Sequence, residues 1–389
     1  MTFIIKNATL FVGNKKVVRD ILIKDGKIKD ISKTIFLKKV KVIDVKEKVV
    51  LPGLIDAHVH CRDPGATHKE DLKTAGLAAV AGGVTTIVDM PNNPTPTFSI
   101  KELKRKRKLA KKAPCNVLFH FGTNGKNLGE IRKAEQEEDV LSTKLYMNFT
   151  TGDYKISEKG ILEGIFRTSN FLSLHAEGNE LDTALELALK HKKRIYVCHN
   201  SSKKDILKIV EARKKFKHIY SEVCPHHLFL DQKDVVTHGA LCCMKPSLKK
   251  ESDTQFLWEA LLDGTIDTIG TDHAPHTLQE KNKKNPPFGV PGLETMLPLL
   301  LDSVNKGKIT LTQVVRLTST NPASLFDLIG KGKIQKGYDA DLVVVDMNKI
   351  KKVCGKELFT KCKWSPFENW SLKGWPTMTI VNGEVVWHD

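Results

Sequence analysis

The chain has 389 residues, 40% hydrophobic and 28% charged, a balance that excludes disorder as the main state and allows a sizeable core. No run approaches the roughly 20 apolar residues that cross a bilayer, and the start, MTFIIKNATLFVGNKK, has no basic segment followed by an apolar core and cleavage site. A soluble cytoplasmic protein without a membrane partner is therefore expected. Its 62 basic residues outnumber 45 acidic ones, giving a net charge of +17 that is densest in KELKRKRKLAKK at 101–112. No aromatics interleave there to stack bases, so the run reads as the solvated face of an outer helix rather than a nucleic-acid surface.

The first fifty residues read as short strands. In DILIKDGKIKDI two alternating runs meet at Asp25-Gly26, a hairpin signal because both turn residues tolerate positive φ. From 53 to 332 the pattern changes. Eight β-branched or aromatic runs appear, LIDAHVH, VTTIVDM, NVLFHFG, TKLYMNF, FLSLHAE, RIYVCHN, IYSEVCP and DTIGTDH. Helical segments such as KEDLKTAGLAAVAGG, ELDTALELALKHKK and KKDILKIVEARKKF lie between them. Eight βα units in this length predict an α/β fold, a (β/α)8 TIM-type barrel, better than an open sheet. No dinucleotide or phosphate-loop glycine motif follows any strand. The last residues, DADLVVVD and then TMTIVNGEVVW with its turn at Asn382-Gly383, again read as strands. Residues 1–52 and 333–389 are thus expected to form one small β-sandwich-like domain, with the barrel inserted into it.

Six of the eight predicted strands end in residues that bind metal or exchange protons: His58 and His60, Lys144, His175, His199, Glu222, and Asp272 followed by His273. In such barrels chemistry sits at the carboxyl ends of the strands. His58 and His60 are two apart, so both imidazoles face the same way on a strand. A lone HxH is weak, but its repetition by histidines and an aspartate on later strands points to an open zinc-type site. The eight cysteines are scattered and read as reduced thiols.

IDAHVHCRDPG, VDMPNNPTP, KLYMNF, LHAEGNE, CHNSS, EVCPHHL and GTDHAPHTLQEK together resemble the dihydroorotase family, in the cyclic-amidohydrolase branch of the amidohydrolase superfamily. The resemblance spans essentially the whole chain. It implies two divalent metals, usually zinc, with His58, His60 and Asp272 holding one and His175 and His199 the other. Lys144 would bridge both after reaction with CO2 to a carbamate, since an ammonium has no lone pair to offer. KLYMNFT resembles the carboxylated-lysine form; many bacterial relatives carry aspartate there. The alternative for Lys144 is an ion pair with a carboxylate.

The resemblance also implies dihydroorotate as substrate, N-carbamoyl-L-aspartate as product and a place in pyrimidine biosynthesis. Asp272 would be the acid–base group, and Arg62, Asn92 and His276 would receive the substrate carboxylate. A structural ion pair with Asp63 is the other reading of Arg62. Thr150 lies in NFTTGD at 148–153, which resembles a loop closing over substrate. In MKPSLK at 244–249, relatives carry arginine or asparagine, and Lys245 is the nearest equivalent without a planar fork. Cys198 and Glu222 match a third zinc site of the animal enzyme. Cys198, however, directly precedes His199, and strand neighbours face opposite ways, so core packing is its default role. His226 and His227 are either supporting donors or a strand end. Allantoinase, hydantoinase, dihydropyrimidinase and a non-catalytic scaffold are the competing functions. A homo-oligomer and association with aspartate transcarbamoylase stay open as partnerships.

Overall fold

A computed structural model describes residues 2–13, 15–152 and 154–389. Five strands come first: β1 (Thr2–Val12), β2 (Lys15–Lys24), β3 (Lys27–Ser32), β4 (Lys41–Asp44) and β5 (Val49–Pro52). The expected turn is present, with Asp25 at φ 51° and Gly26 at φ 74° joining β2 to β3. A register break between Ile5 and Ala8, with Asn7 at φ 56°, splits β1 in two. Its first half pairs in parallel with β4, and beyond the break Thr9 meets Val49 of β5.

Eight parallel strands follow: β6 (Leu54–Val59), β7 (Val84–Asp89), β8 (Asn116–Gly122), β9 (Val140–Tyr146), β10 (Phe171–His175), β11 (Arg194–Val197), β12 (Ile219–Val223) and β13 (Thr268–Ile269). Each pairs with the next in chain order, and helices lie between them, as the expected barrel requires. The helices present apolar faces to this sheet. In Asn179–His191, for example, Leu181, Ala184, Leu185 and Ala188 are buried at helical spacing.

The last strand is short, so side chains and loop backbone complete the ring. Val59 bridges His273, and His60 N–H donates to the His273 carbonyl at 2.8 Å. Buried Asp56 accepts from the Thr271 hydroxyl at 2.5 Å and the Thr271 amide at 3.0 Å. This seam sets the HxH segment beside Asp272.

The chain then returns to the terminal sheet through β14 (Leu342–Lys352), β15 (Ser371–Val381) and β16 (Glu384–His388). β14 pairs antiparallel with β5, so both ends of the chain share one sheet. The turns touch as well: a Cβ on Gly383 would lie 2.9 Å from the Gly26 Cα, so only glycine fits there.

The basic helix Ile100–Ala110 is an outer helix with most of its cations exposed, as expected, but two of them turn inward. Lys106 is fully buried, and Arg107 pairs with Asp139 and Glu137. All eight cysteines are free thiols. Among the described residues, no helix is long and apolar enough to cross a membrane.

Candidate active site

Asp56, His58 and His60 alternate toward one face of β6 and its extension. The outer nitrogen of each imidazole is held by an acceptor. His58 Nδ1 lies 2.7 Å from Glu222 Oε1, and His60 Nδ1 lies 2.7 Å from Asn92 Oδ1. An amide oxygen and a carboxylate only accept, so both Nδ1 atoms carry a proton and both Nε2 atoms face inward. These meet Asp272 Oδ1 at 3.2 Å from His58 and 3.0 Å from His60.

A carboxylate buried here requires positive charge beside it. Burial opposes protonation of His58, yet Glu222 and Asp272 outweigh it and raise the ring to about 10. Burial instead lowers His60 to about 4. For Asp272 burial favours the neutral acid, but His58 and His60 overcome it and hold the carboxyl well below its ordinary range.

His175 ends β10 and His199 follows β11. Their rings meet with Nδ1 of His175 2.7 Å from Nε2 of His199, while His175 Nε2 and His199 Nδ1 have no partner. Burial lowers His175 to about 3 and keeps His199 well below its usual value, so both are neutral and able to ligate.

Lys144, fully buried on β9, donates to Cys198 Sγ at 3.0 Å. Among the described residues no carboxylate lies within ion-pair distance of it, so the alternative of a carboxylate partner is corrected. The neutral imidazoles of His60, His175 and His199 with the Asp272 carboxylate form a donor set that suits divalent cations.

Cys198 packs in a buried apolar cluster, its default role, although strand alternation does not decide where it points. The strand has already ended at Val197, and His199 adopts φ 40°, so the alternation of side chains fails there. Cys198 therefore shares a cluster of candidate ligands with His58 and Glu222, while also packing against Tyr196 and Phe326. Glu222 is fully engaged, accepting from His199 N–H at 2.9 Å and the Tyr196 hydroxyl at 2.6 Å.

A pocket opens beside His60 and Asp272, and Arg62, Asn92, Thr150 and Lys245 line it. Arg62 does not pair with Asp63. Its Nε donates to the Pro275 carbonyl at 3.2 Å, and its NH2 group lies 3.0 Å from His276 Nε2.

His276 is fully buried behind Arg62 rather than in the pocket lining. Lys69 Nζ is 3.1 Å from its Nδ1 and the Phe288 carbonyl 2.9 Å from its Nε2, which places the ring proton on Nε2. Burial, with Arg62 and Lys69 nearby, keeps the ring neutral.

Sequence reasoning missed the opposite wall, Phe288 and Gly289, and the threonine after Thr150. Thr151 donates its hydroxyl to the Phe288 carbonyl at 3.1 Å, and Lys245 Nζ sits 5.5 Å from the Phe288 ring centre. Gly289, at φ 132°, leaves no room for a Cβ, which would meet the Ala274 carbonyl at 2.5 Å. The Pro-Pro-Phe-Gly run at 286–289 was the only signal for this wall. Asp153 of the NFTTGD stretch lies outside the described residues.

Residues 49–386 match the model of the Amidohydrolase family. The chain is 37% identical to the dihydroorotase of Methanosphaera stadtmanae, covering 97% of this chain and 95% of that protein. It is 35% identical to the dihydroorotase of Bacillus cytotoxicus, over 100% of this chain and 98% of the relative. Among solved structures, the L-hydantoinase (dihydropyrimidinase) of Arthrobacter aurescens superposes with a TM-score of 0.93 at 28% identity, covering 98% of this chain and 95% of that one.

Proposed function

The chain belongs to the amidohydrolase family, and on that premise we propose that it is a zinc-dependent dihydroorotase, interconverting (S)-dihydroorotate and N-carbamoyl-L-aspartate in pyrimidine biosynthesis. The observation that carries this reading is the pocket that sets Arg62 and Asn92 beside His60 and Asp272. Dihydroorotate bears a carboxylate on a cyclic imide, and it needs a fixed anion-binding group next to the hydrolytic site. A guanidinium fork supplies one. Near-full-length relatives named dihydroorotase add independent support.

His58, His60 and Asp272 would hold one divalent cation, His175 and His199 a second, and Lys144 would reach both as its carbamate. The lysine amine would add to CO2 and release a proton, turning a donor-only group into two carboxylate oxygens. When bound, the cations would make water nucleophilic near neutral pH and polarise the scissile carbonyl.

The protein's own residues account for the rest. Arg62 would grip the substrate carboxylate from one side, with the Pro275 carbonyl fixing its Nε and His276 packed against its NH2 group. Asn92 would add its amide N–H, its oxygen being taken by His60. Thr150 and Lys245 would close the far side. Asp272, at the junction of the pocket and the histidines, would take the proton of the attacking water and pass it to the departing ring nitrogen. Ring opening creates a carboxylic acid that ionises, so cyclisation gains as pH falls. The Cys198, Glu222 and His58 cluster is the candidate for a third zinc.

A hydantoinase or dihydropyrimidinase is the second reading, favoured by the superposition with the A. aurescens enzyme. Those rings lack the carboxylate that Arg62 would bind. The deciding experiment compares turnover of dihydroorotate, hydantoin, dihydrouracil and allantoin by one metal-analysed sample. Turnover of dihydroorotate, lost on chelation and restored by zinc, is expected. Preference for another ring would move the substrate, and inertness toward all four would end the reading.

A further inference from the structure

We propose that Cys224, His226 and His227 form a separate metal site that takes a borderline-soft divalent cation such as Zn2+. This goes beyond the hydrolase reading and does not rest on it. The three residues follow β12 in EVCPHHL: Cys224 stands at the N-cap of the short helix Pro225–Phe229, and the two histidines lie in its first turn. All three side chains are buried, and their ligating atoms lie within 4.8 Å of one another. The two rings meet edge to face with centres 4.3 Å apart.

The hydrogen bonding separates this cluster from ordinary core histidines, whose nitrogens find partners. The Pro246 carbonyl, 3.0 Å from His227 Nε2, can only accept, so it fixes the proton on that nitrogen. Nδ1 of His227 is left as a bare lone pair, and that atom has no partner. Nor does Nε2 of His226. A backbone carbonyl holding the far nitrogen of an imidazole is the usual support for a metal-binding histidine.

Cys224 Sγ is fully buried within reach of a nitrogen of each ring. One thiolate and two imidazoles select Zn2+ or Co2+ over Mg2+ or Ca2+, which prefer oxygen. His226 and His227, read from sequence as supporting donors or a strand end, become ligands.

The test loads the full-length protein with Co2+, removes the excess by dialysis, and records cobalt per chain and the near-ultraviolet thiolate-to-cobalt band. Wild type is compared with Cys224→Ser, His227→Gln and Cys198→Ala. Serine is a good N-cap, and glutamine keeps a donor for the Pro246 carbonyl, so each variant covers for misfolding of the other. The expected result is loss of one equivalent of cobalt and of the band in Cys224→Ser and His227→Gln, with the band retained in Cys198→Ala. Wild-type cobalt content with an undiminished band in Cys224→Ser would overturn the site. So would a band abolished only by Cys198→Ala.

Discussion

Lys106 reaches from a surface helix to Asp89 at the end of β7, with Nζ 2.6 Å from Oδ2 and both side chains fully buried. Its ammonium also donates to the Met90 carbonyl at 2.7 Å and Asn93 Oδ1 at 3.1 Å. The other Asp89 oxygen accepts from Cys61 N–H at 2.9 Å, so the pair fixes the turn between His60 and Arg62.

Lys106→Met should therefore destabilise the fold by about 3–5 kcal/mol, because it strands a buried carboxylate. Lys106→Met combined with Asp89→Asn should recover part of that loss. Urea unfolding of the three proteins measures both numbers, and equal midpoints for wild type and Lys106→Met would refute the argument.

Lys144→Ala should lose bound metal and activity together. The loss should exceed the roughly 10–100-fold that partners outside the ligand set cost. Zinc with excess short-chain carboxylic acid should restore part of the activity, because a free carboxylate can take the place of the carbamate. A variant with wild-type metal content and turnover would end the bridge model.

Arg62→Lys keeps the charge and removes the planar fork. Hydrogen bonds to a charged group contribute about 1.5–3 kcal/mol, so kcat/KM for dihydroorotate should fall roughly 10–100-fold, chiefly through KM. Any residual turnover of dihydrouracil, which has no carboxylate, should be unchanged. An equal drop for both rings would assign Arg62 a structural role instead.

Burial raises Glu294 from 4.5 to about 7, although Phe359 and Thr360 amides donate to it at 2.9 and 3.1 Å. Between those values the folded protein keeps a proton that the unfolded chain has released. Stability therefore falls as pH rises through this window, by on the order of 3 kcal/mol. Glu294→Gln does not titrate and keeps one of the two acceptor contacts, so it should gain on wild type between about pH 5 and about pH 8. Denaturant titrations at the two pH values test this, and a constant gap between the proteins would contradict it.

The barrel was legible because each strand is a compact β-branched run, and the two hairpins because Asp-Gly and Asn-Gly demand left-handed turns. His58, His60, Lys144, His175, His199 and Asp272 were legible for a simpler reason: polar groups recur where such strands end. Long-range partners were not. Nothing local shows that Glu222 holds His58, or that Asp56 reaches Thr271 across the seam. The direction of Cys198 was not legible, because strand alternation stops at Val197, one residue before it. The burial of Lys106 was not legible because composition hides which side of a charged helix meets the barrel, where Leu103 and Lys106 sit one turn apart.

The antiparallel pairing of Leu51 with Val343 places a constraint on synthesis. As the ribosome extends the chain, β5 emerges long before the strand that covers its edge. Until β14 arrives, the N-terminal strands expose that edge beside a barrel already able to assemble, and such edges invite pairing with other chains. The period between translation of β5 and translation of β14 is therefore when this edge is open to other chains.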